Sequence, residues 1–509
     1  MTSDRSCLEP SEAVRRNRAE DFGLDLSGFS PQDLDDLTAR FATGTMGAFT
    51  DTLAKVGYCS RPVQLVGSSA TADKATGEVL GTYSSRDAPL GVTYVACGNR
   101  RASVCAACSR LYAADTFQML RAGVAGGKQV PEHVRDNPLL FVTLTAPSFG
   151  AVHRASSGQA GCRPEAGRPR CRHGASQSCR RHDDEGVVGS PLCPGCYDYT
   201  THVVWQWHAP ELWRRFVIRL RRRVAHLLGV RESKLGSVAT VQYAKVAEYQ
   251  VRGAVHFHAL IRLDGPRTAE GFAPAPADLD CSALAAEVRC AARDVSYLAP
   301  ATGDDDAGRL LRFGRQLDVR VVRASRRDDD PDAALSAEQV AGYIAKYATK
   351  GAGDTVFTGP RDHYDRLIAV ARRIGSAARR RADARREAGQ VEPDDEGDPY
   401  ERLADWSHTL AFRGHFSTKS RRYSVTLGKL RRARRRWQVL AAQSRATGVP
   451  IDIDDLEHRL LADEEETTLV IGSWQFAGLG WATEGDAALA VAAAARAREY
   501  AAARAAHRH

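Results

Sequence analysis

The sequence predicts an α+β protein: an antiparallel sheet flanked by helices, carrying cysteine-rich modules and followed by a mainly helical, basic C-terminal region. Three observations predict it. Apolar, β-branched runs at Leu139–Thr145 and Ala254–Arg262 read as strands. A 3–4-residue apolar spacing through Trp213, Phe216, Val217, Leu220, Val224, Leu227 and Leu228 reads as a helix. Ten of the twelve cysteines fall in the first 200 residues, which separates that part from the rest.

The elements follow in order. Residues 1–56 read as a polar leader with a helix over Asp33–Val56. Residues 57–136 form a first cysteine module, with strands near Gln64 and at Gly91–Ala96 and a helix from Leu111 to Ala122. A sheet domain over residues 137–353 opens with the strand Leu139–Thr145, which Ala146-Pro147 stops. Residues 150–200 interrupt that domain with a second cysteine module. The chain resumes with the amphipathic helix Pro210–Leu228, whose other face carries Arg214, Arg215, Arg219, Arg221, Arg222 and Arg223. Strands at Ser237–Glu248 and Ala254–Arg262 flank a turn through Gln250–Gly253. Residues 265–310 read as a polar, Ala/Pro-rich insertion, and a strand at Gln316–Val322 precedes an acidic loop at Arg326–Asp332. Ser336, with Gln339 three positions on, makes a capping box that starts a helix through Lys350. Residues 354–509 read as helical and charged, with a linker at Gln390–Asp398.

The N-terminal Met-Thr-Ser-Asp-Arg lacks an apolar segment behind it, and no stretch approaches the roughly 18 uninterrupted apolar residues of a spanning helix. The expected location is cytoplasmic, without membrane contact, where cysteines are metal ligands rather than disulfides. Cys105-Ala-Ala-Cys108, with Cys97 before it and Cys59 further back, makes a four-cysteine set. Such paired spacing lets one turn present two thiolates to tetrahedral Zn2+. A second set gathers Cys162, Cys171, His173, Cys179, His182, Cys193 and Cys196 around a stretch almost free of apolar residues. A structural zinc would supply what the missing core cannot. Seven candidates compete for four places, and Cys171, Cys179, Cys193 and Cys196 are taken as the set. Cys7, Cys281 and Cys290 read as bystander thiols.

In Val255–Ile261 everything but His256 and His258 is apolar. Residues two apart on a strand share a face, so the two imidazoles converge on one point. A divalent ion between them would still lack an anionic ligand. Glu248 lies on the preceding strand, and the turn decides whether Glu248 or Ala247 faces His256, because a slip of one residue flips the face. On the helix after Ser336, Tyr343 and Tyr347 are i, i+4 neighbours, as are Lys346 and Lys350.

Phe141-Val-Thr-Leu-Thr145, His256-Phe-His258-Ala-Leu-Ile261 and Val340-Ala-Gly-Tyr343-Ile-Ala-Lys346-Tyr347, in this order, resemble the three motifs of the HUH endonucleases. Cys97 to Cys108, Phe313 to Arg320 and Phe412 to Ser420 narrow the likeness to the replication initiators of actinobacterial plasmids and integrative elements, from about residue 57 onward. The resemblance implies an HUH-type nuclease domain that nicks one strand at a double-strand origin for rolling-circle replication. It implies that His256 and His258, with a polar residue from the preceding strand (Glu248 first, Gln250 second), hold Mg2+ or Mn2+. Tyr343 is then the nucleophile, forming a 5′-phosphotyrosine and a 3′-hydroxyl, and Lys346 stabilises developing charge. Tyr347 is either a second nucleophile or a packing residue. Partners would be origin DNA, single-stranded at the nick, with host helicase and polymerase. An HUH transposase and a non-catalytic zinc protein that binds nucleic acid are the competing readings.

Charge agrees with a polyanionic partner. Lys plus Arg number 71 against 62 for Asp plus Glu, giving +9 and a pI near 9.0. A basic run holds Lys419, Arg421, Arg422, Lys429, Arg431 and Arg432, followed by Arg434 to Arg436, with Tyr423 and Trp437 close by. Basic runs with aromatic neighbours suit phosphate contacts and base stacking. A second cluster spans Arg372 to Arg386.

Overall fold

A computed structural model describes residues 27–154, 170–176, 186–269, 271–323, 335–350, 359–390, 397–462 and 468–506. Its strands, numbered along the chain, begin with β1 (Val63–Asp73), β2 (Val79–Ser84), β3 (Thr93–Val95), β4 (Leu139–Leu144), β5 (Thr240–Tyr249) and β6 (Val255–Asp264). Two short pairs follow, β7 (Arg267–Thr268) with β8 (Gly271–Phe272), and β9 (Tyr297–Ala299) with β10 (Arg309–Leu311). The rest are β11 (Leu317–Arg323), β12 (Leu335–Ser336), β13 (Ser417–Lys419) and β14 (Thr468–Leu479).

The chain divides into two compact units: Ala114–Leu461 is one, and Met1–Ala113 with Ala462–His509 is the other. This partition differs from the consecutive blocks suggested by the sequence, because residues 354–509 are shared out. β13 pairs with β5 in one unit, and β14 pairs along the whole of β1 in the other.

In the larger unit six strands run in the order β12-β11-β4-β6-β5-β13, antiparallel except for the parallel β11–β12 pair. Alternation gives the sheet two buried faces. Phe141, Ala244, Val246 and Leu260 pack against Val340, Ala341, Ile344 and Ala345 of the helix Ala337–Lys350. Val142, Leu144, Ala247, Phe257, Ala259 and Ile261 join the core that contains Leu212, Phe216 and Leu220 of the helix Tyr199–Leu227. That helix starts eleven residues before the expected Pro210. The residues from His202 to Ala209 are buried on every side, so the one-sided stripe that marks the later turns is missing there. The segment read as a polar insertion also contains a helix, Cys281–Asp294, which Asp280 caps at the Ala283 amide. Its Leu284, Val288, Ala291 and Ala292 are buried.

The smaller unit has β1 between β14 and β2, with β3 also on β1. Two helices, Pro31–Ala42 and Met46–Lys55, replace the single one expected over Asp33–Val56. Gly44 breaks them at φ 68°, a left-handed value that suits glycine. The helix expected from Leu111 runs over Ala106–Ala125. Leu37, Phe49, Leu53 and Val56 pack with Trp481, Leu489 and Ala490, so the first and last parts of the chain share one core. Among the described residues no helix is long and apolar enough to cross a membrane. The acidic loop Arg326–Asp332 and residues 391–396 of the expected linker lie outside the described residues.

Candidate active site

The site is built on the β5–β6 hairpin. Tyr249 pairs with Val255 and Glu248 with His256, so Glu248 rather than Ala247 shares a face with the histidines. The connection closes with Gln250 N–H donating to Ala254 O (2.9 Å) and Gly253 at φ 80°. Gln206, fully buried, clamps it: its Nε2 donates to Gly253 O at 2.9 Å and its Oε1 accepts Val255 N–H at 3.0 Å. Gln250, the second-choice ligand, accepts from Arg252 Nε at 2.9 Å.

Glu248 Oε2 lies 3.0 Å from His256 Nε2 and 3.1 Å from His258 Nε2, and the two Nε2 atoms are 3.1 Å apart. Three polar atoms in so tight a triangle cannot all be satisfied by protons, since two N–H groups aimed at one oxygen leave their nitrogens in contact. A cation resolves this. In six-coordination at about 2.1 Å, adjacent ligand atoms lie about 3.0 Å apart, so the donor set fits a divalent ion on one triangular face. Burial holds the His256 imidazole below its ordinary range, only partly offset by Glu248. Burial alone would raise the Glu248 carboxyl, but hydrogen bonds from both imidazoles hold it at about 2. Neutral imidazole and ionised carboxylate are the forms a metal binds. Thr143 Oγ1 stands 3.0 Å from His258 Nδ1 and orients that ring. Thr143 belongs to the β4 strand motif but is not among the expected ligands; its alternation with Phe141, on the His258 face, is the signal that marks it.

Tyr343 projects from the helix Ala337–Lys350 with its ring centroid 5.5 Å from His258 and 5.6 Å from Phe141, perpendicular to both. It is 40% exposed, while Ile344 beside it is buried. Lys346, one turn on, is exposed. Tyr347 lies on the same helix, and its side chain is outside the described part.

Two further clusters have metal-ligand chemistry. Cys59, Cys97, Cys105 and Cys108 bring their sulfurs within 4.8 Å of one another. Cys97 N–H donates to Cys59 Sγ at 3.3 Å, and Trp481 Nε1 donates to Cys59 O at 2.9 Å. Hydrogen bonding among the crowded thiols lowers Cys105 and raises Cys59. The second cluster is Cys171, His173, Cys193 and Cys196. His173 Nδ1 lies 3.2 Å from Cys196 Sγ, and the tight turn from Cys171 N–H to Ala175 O (2.9 Å) brings His173 round to it. Cys179, expected in this set, lies outside the described residues together with Cys162 and His182, and His173 holds the fourth position seen. Either cluster could hold zinc.

The basic run is divided in its use. Lys419 is turned into the fold, where its Nζ donates to Ser424 O (2.9 Å) and Arg421 O (3.2 Å), and burial pushes it down to about 8. Lys429, on the helix Leu427–Thr447, donates to Gln129 Oε1 at 3.0 Å. Arg421, Arg422 and Arg431 are exposed and Arg432 is half-exposed. In the second arginine cluster, on the helix Arg361–Glu387, three of the seven arginines are ion-paired among the described residues: Arg379 with Asp405, Arg381 with Asp398, and Arg386 with Asp383 and Glu401.

The family described as replication initiator protein, pSAM2, matches residues 45–495. A curated replication initiator protein from Streptomyces ambofaciens is 40% identical over 469 residues, covering 90% of this chain and 92% of that protein. No solved structure matches.

Proposed function

The chain belongs to the replication initiator family, and on that premise we propose that it starts rolling-circle replication as an HUH-type endonuclease, nicking one strand of origin DNA through Tyr343. The observation that carries this reading is one carboxylate oxygen of Glu248 within 3.1 Å of both His256 Nε2 and His258 Nε2, with the Tyr343 ring 5.5 Å from His258. Mg2+ or Mn2+ at Glu248, His256 and His258 would supply Lewis acidity, drawing charge from the scissile phosphate.

Tyr343 loses its phenolic proton and its oxygen attacks phosphorus in line. The P–O3′ bond breaks as the Tyr–O–P bond forms, and the departing 3′-oxygen takes a proton. The products are a 5′-phosphotyrosine and a 3′-hydroxyl primer. One phosphodiester has replaced another, so rejoining needs no outside energy. Lys346 places a cation one turn from the phenol, where it offsets the charge that builds at the phosphate. Thr143 keeps His258 turned toward the site, and zinc at the two cysteine clusters is structural. The DNA has to be single-stranded at the nick to bring its phosphate to a pocket beside the histidines. Host helicase and polymerase are the partners that would extend the primer.

The test is covalent capture. Incubated with single-stranded origin oligonucleotides and Mn2+, the protein should form a denaturation-resistant adduct. Tyr343→Phe and His258→Ala should abolish it, and Tyr347→Phe should retain it. An adduct that maps to Tyr347, with Tyr343→Phe still active, would transfer the nucleophile's role to Tyr347.

A further inference from the structure

A cleft of about 1200 Å³ opens at the end of the sheet where β4 stops and β5 turns into β6. Its floor is Leu144 to Pro147 with Gln250 and Arg252. Leu144 and its partner Phe257 face away from the histidines, but the strand end at Leu144 and the β5–β6 connection at Gln250 and Arg252 place the cleft at the same end of the sheet as the metal-ligand triangle. Arg154, Arg252, Arg293, Arg312 and Arg315 line it, and none of the described lining residues is acidic. Arg252 is held in the floor by Ala146 O (3.0 Å) and Pro147 O (2.8 Å), and among the described residues no carboxylate pairs with it. Arg154, Arg293, Arg312 and Arg315 reach solvent along its walls. Partly exposed Phe313, steadied by contacts to Trp205, Phe216 and Phe257, adds an aromatic surface. The volume exceeds the roughly 300–1000 Å³ of a small-molecule pocket. Cationic along its described lining and with an aromatic wall, it suits a chain of linked phosphates and bases.

One wall adjoins the second cysteine cluster. Residues 150–154 are tied to residues 189–192 by His153 N–H to Ser190 O (2.8 Å), Gly189 N–H to His153 O (2.9 Å) and Leu192 N–H to Ala151 O (2.9 Å). Cys193 follows immediately. Gly189, at φ 88°, lies so close to the β5–β6 connection that a Cβ there would sit 2.8 Å from the Val251 carbonyl carbon. Arg172, His173, Gly174 and Ser176 are exposed, so little apolar burial holds this cluster's loops.

We propose that the cleft holds the single-stranded DNA flanking the nick, and that the Cys171–His173–Cys193–Cys196 cluster folds its Arg154 wall. The proposal rests on the nicking reading but is tested apart from it, by binding alone in the Tyr343→Phe background of the full chain. Affinity for a fluorescent single-stranded origin oligonucleotide is measured by anisotropy over a series of salt concentrations. Substituting Arg154, Arg312 and Arg315 by alanine should weaken binding at least about tenfold and lower the salt slope by about two, at about 0.7 for each phosphate left without its arginine. Cys196→Ser, at the exposed member of the cluster, should weaken it in the same direction. An unchanged salt slope in the triple variant overturns the proposal, as does a duplex or an RNA of the same sequence losing as much affinity as the single strand. If Cys196→Ser loses its metal yet binds DNA as before, the wall's dependence on the cluster is overturned. Should Cys196→Ser fail to fold, the arginine variants, all at solvent-accessible positions, still decide whether the cleft binds DNA. Failure of the nicking reading looks different: no adduct from the unsubstituted protein, whatever the binding data.

Discussion

Replacing Gln206 with leucine should loosen the fold and the ion site together. Gln206 is fully buried and makes both of its hydrogen bonds to the β5–β6 connection, at 2.9 and 3.0 Å. Leucine fills much of the same volume but strands the Gly253 carbonyl and the Val255 amide away from water. An orphaned buried polar group costs about 1–3 kcal/mol, so the two together cost about 2–6 kcal/mol, offset in part by the easier desolvation of leucine. The damage falls where Glu248 is set opposite His256, and disturbing groups behind a ligand shell lowers metal affinity by about 10–100-fold. Urea unfolding followed by tryptophan fluorescence reads the first effect, and titration calorimetry with Mn2+ reads the second. Gln206→Glu keeps an acceptor for Val255 N–H but faces Gly253 O with a carboxylate, and should be intermediate or worse. An unfolding midpoint and a Mn2+ affinity both unchanged in Gln206→Leu would refute the clamp.

Three further outcomes are expected. Lys245 lies on the β5 face opposite the histidines, its Nζ 4.5 Å from the Phe257 ring centroid, and burial pushes it from 10.5 down to about 7. Between those values the unfolded chain holds a proton the folded chain releases, so stability rises with pH through that window and the penalty is full below it. The difference, 10.5 − 7, corresponds to at most about 5 kcal/mol, so Lys245→Met should stabilise the protein near neutral pH by a few kcal/mol and flatten the pH slope of denaturant unfolding; an unchanged slope counts against it. Thr143→Val removes the partner of His258 Nδ1 and should lower Mn2+ affinity about 10–100-fold without altering the circular dichroism spectrum. Elemental analysis should find about two zinc per chain, falling by one in Cys108→Ser and by one in Cys196→Ser; a single zinc in the unsubstituted protein would leave one cluster without its metal.

The histidine strand was legible because two polar residues at i and i+2 in an apolar run have one geometric consequence. The register of Glu248 was not, since it depends on how many residues the turn consumes, and that is settled by Gln206, some forty positions earlier. Strand β13 escaped because Ser417-Thr-Lys419 is too short and polar to show alternation. The helix Cys281–Asp294 was hidden by its alanines, although Asp280 as a cap and Leu284, Val288, Ala291 and Ala292 at helical spacing were there to be read. In the second cysteine module the candidates outnumbered the places, and only the turn that carries His173 distinguishes it.

The pairing of β1 with β14 sets an order of events during synthesis. Val63 meets Leu479, 416 residues later. At about 5–20 residues per second a ribosome needs about 20–80 s to cover that distance. Through that interval β1 has an unpaired edge and Cys59 lacks the indole of Trp481 that later covers it. A strand made early is thus among the last to be finished, with its edge open until β14 emerges. A premature stop before Leu479 would leave the lesion at the other end of the protein, in a strand whose own codons are intact.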